Sequence, residues 1–334
     1  MKKIFIILIS LLITNQTFAL ETPMKKLSKY FKNGELIKIS SYNSAKWPNG
    51  YMSIKDGSYK NNPIEVDAFI AFPKKGEGPF PVVMFAHASG GAALFTDEWF
   101  KFNRLAAKSL LKKGIGVMFL DNFSARGQKH TYIDQSTITH WSTVMDAFKA
   151  LEHLSKDPKV NIKKVGITGW SRGGAISLMA SEKRLRDELI SEDLYFAAAQ
   201  PRSPPCWSIG MFVNPQPIKE TKTWMVLGGA DNFTLAKDCV LLGEKYKANG
   251  ADIEVTVKKG WHHGFTANYE AEYEGDSQIF NDCPGAFTND VGNIIYVGNA
   301  AYPECVTRGA TIGGNKGAKF RKPFLKFFTE NLLN

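Results

Sequence analysis

The chain has 334 residues, 44% of them hydrophobic, and a formal net charge of +10 at pH 7. This composition supplies a large core, and no internal repeat or low-complexity linker divides the chain. The lysines are scattered, without a dense run or a nucleic-acid-binding motif, so the charge indicates a solvated basic surface and argues against nucleic acid as a partner.

The N-terminus has the pattern of an export signal. Lys2 and Lys3 precede a mostly apolar stretch over residues 4–13, and Thr17-Phe18-Ala19 follows as a small-x-small site. The apolar stretch is short for a membrane span. We expect residues 1–19 to be a signal peptide cleaved near Ala19, the alternative being an uncleaved anchor. The remaining residues, 20–334, are expected to form one domain without stable membrane insertion, located in the periplasm or secreted.

Strand and helix patterns alternate along this domain. Alternating polar and apolar residues over 35–72 predict antiparallel edge strands. Strands are predicted near residues 82, 116, 165, 196, 224 and 254, and helices over 99–113, 140–155, 174–190, 235–249 and 320–333. Such alternation favours a mostly parallel sheet with helices on both faces.

A glycine-rich loop follows the strand near residue 82, with the sequence His87-Ala88-Ser89-Gly90-Gly91. It resembles the His-Gly-Gly type of loop that supplies an N–H donor to an oxyanion hole. The donor is expected to be Ala88 or Ser89, which the sequence does not separate. For His87 we expect a role in shaping the loop rather than a role as a base.

The sequence Gly169-Trp170-Ser171-Arg172-Gly173 lies between a β-branched stretch and an apolar helical stretch. A strand, a sharp turn and a helix with serine at the apex predict a nucleophile elbow. The glycines suit a turn in which a Cβ would clash, and the helix N-terminus favours developing negative charge. Ser171 is therefore the candidate nucleophile, and the N–H of Arg172 the candidate first oxyanion donor. The alternative is an ordinary turn serine.

A catalytic serine needs a general base and an acid that orients it. Asp231 directly follows an apolar strand over 223–227, at the strand end where ligands meet open α/β sheets. Asp238 and Asp252 fit that position less well. After a strand over 253–257 come two adjacent histidines, His262 and His263, and the residue pattern leaves open which of them is the base.

About 50 residues separate these histidines from the last helix, which is long for a loop in a compact domain. This segment, residues 266–318 (the insertion), is rich in glycine, asparagine and acidic residues. We hypothesise that it forms a disulfide-braced cap that lines or covers the site, the alternative being a surface excursion without a role there.

Together these segments resemble the α/β-hydrolase superfamily and, more narrowly, the dienelactone hydrolase-like family. The resemblance rests on residues 81–91, the Asp-x-Phe-x-x-Arg-Gly turn within 117–127, residues 169–174, 228–231 and 263–265. It implies an α/β-hydrolase fold with a mostly parallel sheet of about eight strands. It also implies a triad of Ser171, Asp231 and His263, because the family's base directly precedes Gly-Phe. Dienelactone hydrolases proper use cysteine at the elbow, so the serine here favours a general esterase over an enzyme for dienelactone.

The resemblance to secreted relatives also implies a disulfide between Cys206 and Cys239, which would brace the loop of Asp231. Cys283 and Cys305 would then form the second pair. Three pairings of four cysteines are possible, and the absence of a C-x-x-C spacing makes a zinc site a poor alternative.

The predicted function is that of an exported serine hydrolase acting on a small-molecule or lipid carboxylic ester, with no metal or organic cofactor. A peptidase or amidase of the prolyl-oligopeptidase type is an alternative with the same triad, although the chain has no N-terminal propeller. A non-catalytic binding protein on a hydrolase scaffold is the second alternative.

Overall fold

The computed structural model describes residues 22–207, 209–298 and 304–334. The predicted signal peptide lies outside the described residues. Thirteen strands are found in the described part of the chain: β1 Gly34–Tyr42, β2 Pro63–Ala71, β3 Phe80–Ala86, β4 Gly116–Asp121, β5 Val160–Trp170, β6 Ala198–Arg202, β7 Met211–Phe212, β8 Lys222–Gly228, β9 Asp252–Lys258, β10 Glu272–Ile279, β11 Gly285–Thr288, β12 Ile294–Val297 and β13 Thr307–Ile312.

Eight α-helices accompany these strands in the same described ranges. They are α1 Pro23–Lys26, α2 Gly50–Lys55, α3 Phe102–Lys112, α4 His140–Leu154, α5 Arg172–Met179, α6 Lys183–Leu189, α7 Ala236–Ala248 and α8 Gly317–Leu332. Within these ranges, no helix is long and apolar enough to cross a membrane.

The main sheet contains eight strands in the order β1-β2-β4-β3-β5-β6-β8-β9. The first two pairings, β1 with β2 and β2 with β4, are antiparallel, and the other five are parallel. Each parallel connection needs a crossover, which the helices provide. The predicted fold class is therefore confirmed, including the antiparallel edge strands.

Helices cover both faces of this sheet, and each face has its own apolar core. On one face, α8 presents Phe320, Phe324 and Phe328, all of them buried, at the four-residue spacing that keeps side chains on one helix face. On the other face, α4 buries residues such as Trp141 and Phe148. Strand β4 lies between the two cores and is buried along its whole length, as expected of a strand that is covered on both faces.

The predicted helix over 174–190 is two helices, α5 and α6. The break falls at Glu182, whose buried carboxylate accepts hydrogen bonds from the N–H of Gln216, and the N–H of Lys183 donates to the Gln216 carbonyl. These long-range bonds replace the helical ones at this point, so the periodicity of the sequence did not reveal the break.

The insertion contains four strands, which the sequence did not predict. Strands β10 and β13 form an antiparallel pair, while β11 pairs with β12 and also, in parallel, with β7 of the preceding chain. Strand β7 lies between β6 and β8 in the sequence. The insertion is therefore joined by backbone hydrogen bonds to a segment near the carboxyl ends of the main strands.

Candidate active site

Ser171 lies at a strained turn between β5 and α5. Its backbone has φ 57° and ψ −120°, a conformation that costs a non-glycine residue energy and that persists only where the surrounding structure imposes it. The N–H of Ser171 donates to the carbonyl of Arg202 in the neighbouring strand at 2.9 Å. This is the strand–turn–helix geometry expected of a nucleophile elbow.

The glycines of the motif are required by close backbone packing. A Cβ on Gly169 would lie 2.3 Å from the backbone of Gly173, and a Cβ on Gly173 would lie 2.3 Å from the carbonyl oxygen of Ala86. A Cβ on Gly174 would meet the Arg202 carbonyl at 2.5 Å. Helix α5 therefore starts against three strands at once, which fixes the position of the serine.

His263 and Asp231 form a buried hydrogen-bonded pair. The His263 Nδ1 lies 2.8 Å from Asp231 Oδ2, and both residues are at most 5% exposed. His262 is not in this pair, and neither Asp238, on the first turn of α7, nor Asp252, at the surface end of β9, replaces Asp231. Of the alternatives that the residue pattern left open, the geometry therefore favours His263 and Asp231.

The loop after β8 holds the Asp231 carboxylate from several sides. Its Oδ1 accepts the backbone N–H groups of Phe233 and Thr234, each at 2.9 Å. The Thr234 hydroxyl donates to Oδ2 at 3.1 Å and lies 3.2 Å from His263 Nδ1. Sequence reasoning missed Thr234, although a threonine three residues after a turn aspartate is a pattern typical of such side-chain hydrogen bonds.

Ser171 and His263 line one cavity of about 220 Å³. Among the described residues, no hydrogen bond links the Ser171 hydroxyl to the His263 ring; such contacts often tighten only when substrate binds. The insertion also contributes to the wall. Five of the twelve other lining residues are aromatic, namely Phe100, Tyr132, Trp170, Phe233 and Tyr269.

The loop after β3 lies at the same cavity through Ala88 and Ser89. Within the described residues, no acceptor receives the N–H of Ala88, Ser89 or Arg172. All three groups are thus available as donors to an oxyanion, and the geometry does not separate Ala88 from Ser89.

His87 is buried beneath this loop. Its Nε2 accepts the Asn122 N–H at 3.0 Å, so the proton of the neutral ring is on Nδ1, which donates to the Ala88 carbonyl at 2.8 Å. Burial lowers the pKa of His87, which favours this neutral form. The ring fixes the loop, in agreement with the role expected for it.

The Arg172 side chain has a structural role that the sequence did not reveal. Its guanidinium is buried and donates to the carbonyl oxygens of Ile138 and Gln135 at 2.9 and 3.1 Å. Burial lowers the pKa of Arg172 to about 9. The contacts tie the start of α5 to the segment before α4.

Both predicted cysteine pairs lie at disulfide distance. The Cys206–Cys239 sulfurs are 2.03 Å apart and those of Cys283–Cys305 are 2.05 Å apart. The first bond links the segment after β6 to α7, on either side of the loop that carries Asp231. In the described ranges, no group of three or more histidine, cysteine or acidic residues is arranged to hold a metal ion.

A family model for the dienelactone hydrolase family matches residues 66–281, well over half of the chain. The chain belongs to this family. The match contains Ser171, Asp231 and His263, and the predicted resemblance is thus confirmed. The family is one of hydrolases, and this member has serine at the elbow.

Individual relatives are distant. YtaP of Bacillus subtilis (strain 168), provisionally named a hydrolase, is 25% identical over 131 residues, which are 35% of this chain and 44% of that protein. The match thus spans less than half of this curated relative.

Two solved structures are also similar. A protein of Klebsiella pneumoniae subsp. pneumoniae, provisionally named a dienelactone hydrolase, is 16% identical with a TM-score of 0.48, over 71% of this chain and 90% of that one. Esterase 2 of Thermogutta terrifontis, phosphorylated by paraoxon, is 17% identical with a TM-score of 0.49, over 70% of this chain and 85% of that one.

Proposed function

We propose that the protein is an exported serine esterase that cleaves carboxylic esters through an acyl-enzyme. The observation that carries the proposal is the buried pair of Asp231 and His263, 2.8 Å apart, beside the same cavity as a serine at a strained strand–helix turn. Family membership supports a hydrolase, and the serine at the elbow supports an ester substrate other than dienelactone.

In the proposed reaction, the Ser171 hydroxyl attacks the ester carbonyl and His263 Nε2 takes its proton. Asp231 accepts the hydrogen bond of Nδ1–H, which keeps Nε2 free to accept that proton and stabilises the charged ring. His263 then gives the proton to the departing alcohol. Water hydrolyses the acyl-enzyme by the same steps, with His263 again as base and then acid.

Negative charge develops on the former carbonyl oxygen during each half-reaction. The N–H of Arg172 at the start of α5 and the N–H of Ala88 or Ser89 are the proposed donors. Each such donor typically contributes about 3–4 kcal/mol to transition-state stabilisation. Because backbone groups are held by the fold, these donors need little reorganisation during the reaction.

Export is supported by the two disulfides, which persist in oxidising compartments and are rare in the cytosol. Together with the signal pattern that ends at Ala19, they favour the periplasm or the medium as the site of action.

The test is hydrolysis of p-nitrophenyl esters from acetate to palmitate by the parent and by Ser171→Ala. We expect kcat/KM to fall by about 10⁴-fold or more in this variant. Ser177→Ala is the matched control, because Ser177 is a buried serine in α5, the helix that follows Ser171, and among the described residues its hydroxyl bonds the Gly173 carbonyl alone. A cavity of about 220 Å³ is small for a ligand site, so short acyl chains are expected to be preferred.

Labelling with a fluorophosphonate separates the alternatives. Covalent labelling of Ser171 without turnover of any ester would favour an amidase or peptidase. A folded protein that neither reacts with the probe nor hydrolyses an ester would overturn the proposal in favour of a non-catalytic binding protein.

A further inference from the structure

A second, larger cavity of about 800 Å³ lies away from the candidate active site. We call it the lysine groove. Six of its lining residues are exposed lysines, and none of the described lining residues is acidic. These lysines are Lys32, Lys74, Lys75, Lys108, Lys112 and Lys113.

The lysine groove lies at the end of the sheet opposite the candidate triad. Its wall includes Ala71, at the end of β2, which pairs with Val117 near the start of β4, and Gly114, which precedes β4. Ser171 and His263, by contrast, follow the carboxyl ends of parallel strands. A ligand in the lysine groove would therefore not occupy the esterase site.

The lysines of the groove form no ion pairs with the described residues of the protein. In the described ranges, none of the six lysines has a carboxylate within 4 Å, whereas Lys38 pairs with Asp67 at 2.6 Å on a neighbouring strand. Clustered cations without partners produce a local positive potential that attracts anions.

The floor between the lysines is apolar. Tyr30, Phe72 and Leu111 are half-buried there, above the buried Phe31. The Lys108 ammonium lies 5.5 Å from the centre of the Tyr30 ring. A cationic rim around an apolar floor is complementary to a molecule with an anionic head and a hydrocarbon tail. The phosphates of a nucleic acid would match the rim, but its bases would need free ring faces for stacking, and one face of the Tyr30 ring is already covered by the Arg104 guanidinium, 4.1 Å from the ring centre.

We propose that the lysine groove binds anionic phospholipid and docks the protein reversibly on a membrane surface. Each lysine near such a surface raises the partition coefficient by about fivefold. Because the candidate active site lies at the other end of the sheet, the docked protein would present that site to the solution and take its substrates from there. This inference is independent of the proposed esterase activity.

The experiment is cosedimentation with phosphatidylglycerol and with phosphatidylcholine vesicles at low salt. It uses the chain as recovered from its host, with the N-terminus read by mass spectrometry and all variants in the same form. The groove variant replaces four exposed lysines, and a control variant with the same charge change replaces four exposed lysines outside the groove. The groove substitutions are Lys74→Gln, Lys75→Gln, Lys112→Gln and Lys113→Gln, and the control substitutions are Lys219→Gln, Lys247→Gln, Lys319→Gln and Lys322→Gln.

We expect the parent to bind phosphatidylglycerol vesicles and not phosphatidylcholine vesicles, and to be released by salt. The groove variant is expected to bind at least 100-fold more weakly and the control variant less than tenfold more weakly. Hydrolysis of a soluble p-nitrophenyl ester and the melting temperature, measured in parallel, are expected to stay unchanged in both variants.

Three results would overturn the proposal. The first is equal weakening in the two variants, which would indicate an attraction set by net charge alone. The second is an absence of parent binding to anionic vesicles. The third is tighter, groove-dependent binding of a short single-stranded oligonucleotide, which would assign the lysine groove to nucleic acid instead.

Discussion

Replacing Asp231 by asparagine tests the proposed orientation of His263. The Oδ1 of Asp231 accepts two backbone N–H groups, from Phe233 and Thr234, each at 2.9 Å. An asparagine at this position would therefore keep its carbonyl oxygen at Oδ1, since an amide NH₂ there would face two donors. Its NH₂ group would then occupy the place of Oδ2, 2.8 Å from His263 Nδ1.

That arrangement forces the wrong tautomer. With a donor facing Nδ1, the neutral ring must accept at Nδ1 and carry its proton on Nε2, where it cannot take the proton of Ser171. The corresponding change in a serine protease lowers kcat by about 10⁴-fold, and a factor of this size corresponds to about 5.5 kcal/mol of transition-state stabilisation. We expect a loss of similar size in Asp231→Asn.

The assay is kcat and kcat/KM for the best p-nitrophenyl ester, with melting temperatures measured alongside. Asp252→Asn is the control, because Asp252 is an exposed aspartate at the start of β9, away from the candidate triad, where it pairs with Lys222. The activity of this control variant is expected to stay within about twofold of the parent's. A loss of less than tenfold in a folded Asp231→Asn variant would refute the assignment of Asp231 as the residue that orients the base.

Two further predictions concern the surroundings of the triad. Thr234→Val removes the hydroxyl that lies 3.1 Å from Asp231 Oδ2 and 3.2 Å from the Ser203 carbonyl oxygen. A hydrogen bond to a charged group stabilises a fold by about 1.5–3 kcal/mol, so the free energy of unfolding should fall by that order, and kcat/KM should fall by at most about 100-fold as the carboxylate loses this support. Thr234→Ser should restore most of both, whereas equal losses in both variants would exclude the hydroxyl as the cause. Burial lowers the pKa of His87, and its Nε2 must stay unprotonated to accept the Asn122 N–H. The stability that depends on neutral His87 is therefore fully present above the unfolded pKa of about 6.5 and is lost as the pH falls through the folded value. Urea unfolding at pH 7.5 and 5.5 should show a weaker loss on acidification in His87→Gln than in the parent, and identical losses would contradict this account.

Local patterns in the sequence were sufficient to predict the main sheet, most of its helices and the motif around Ser171. Periodicity reports which face of a helix or strand is buried, and the glycines around Ser171 reflect a turn that is built within a few residues. The strands of the insertion were missed because β11 and β12 are short and the segment is rich in glycine, asparagine and acidic residues. Three of them, β10, β11 and β13, also pair with partners distant in sequence.

The choice between the two adjacent histidines shows the limit of the residue pattern. Both follow the same strand and both are loop residues, so only the family resemblance favoured His263. The folded chain distinguishes them because one ring reaches Asp231, 32 residues earlier, and is buried with it. The guanidinium of Arg172 was missed for the same reason, since its partners Gln135 and Ile138 lie on another segment. Thr234 was missed although its partner Asp231 lies only three residues earlier in the same loop.

The sequence by itself thus determined the class of fold, the candidate nucleophile and the order of its partners, because these follow from local backbone preferences and from hydrophobic periodicity. Only the tertiary structure decided which side chains meet. The lysines at 32, 74–75 and 108–113 are scattered along the sequence and read there as an ordinary basic surface, yet they line one groove. Packing of the core fixes the relative positions of the helices and strands, and surface charges that have no partner of their own are brought together as a consequence.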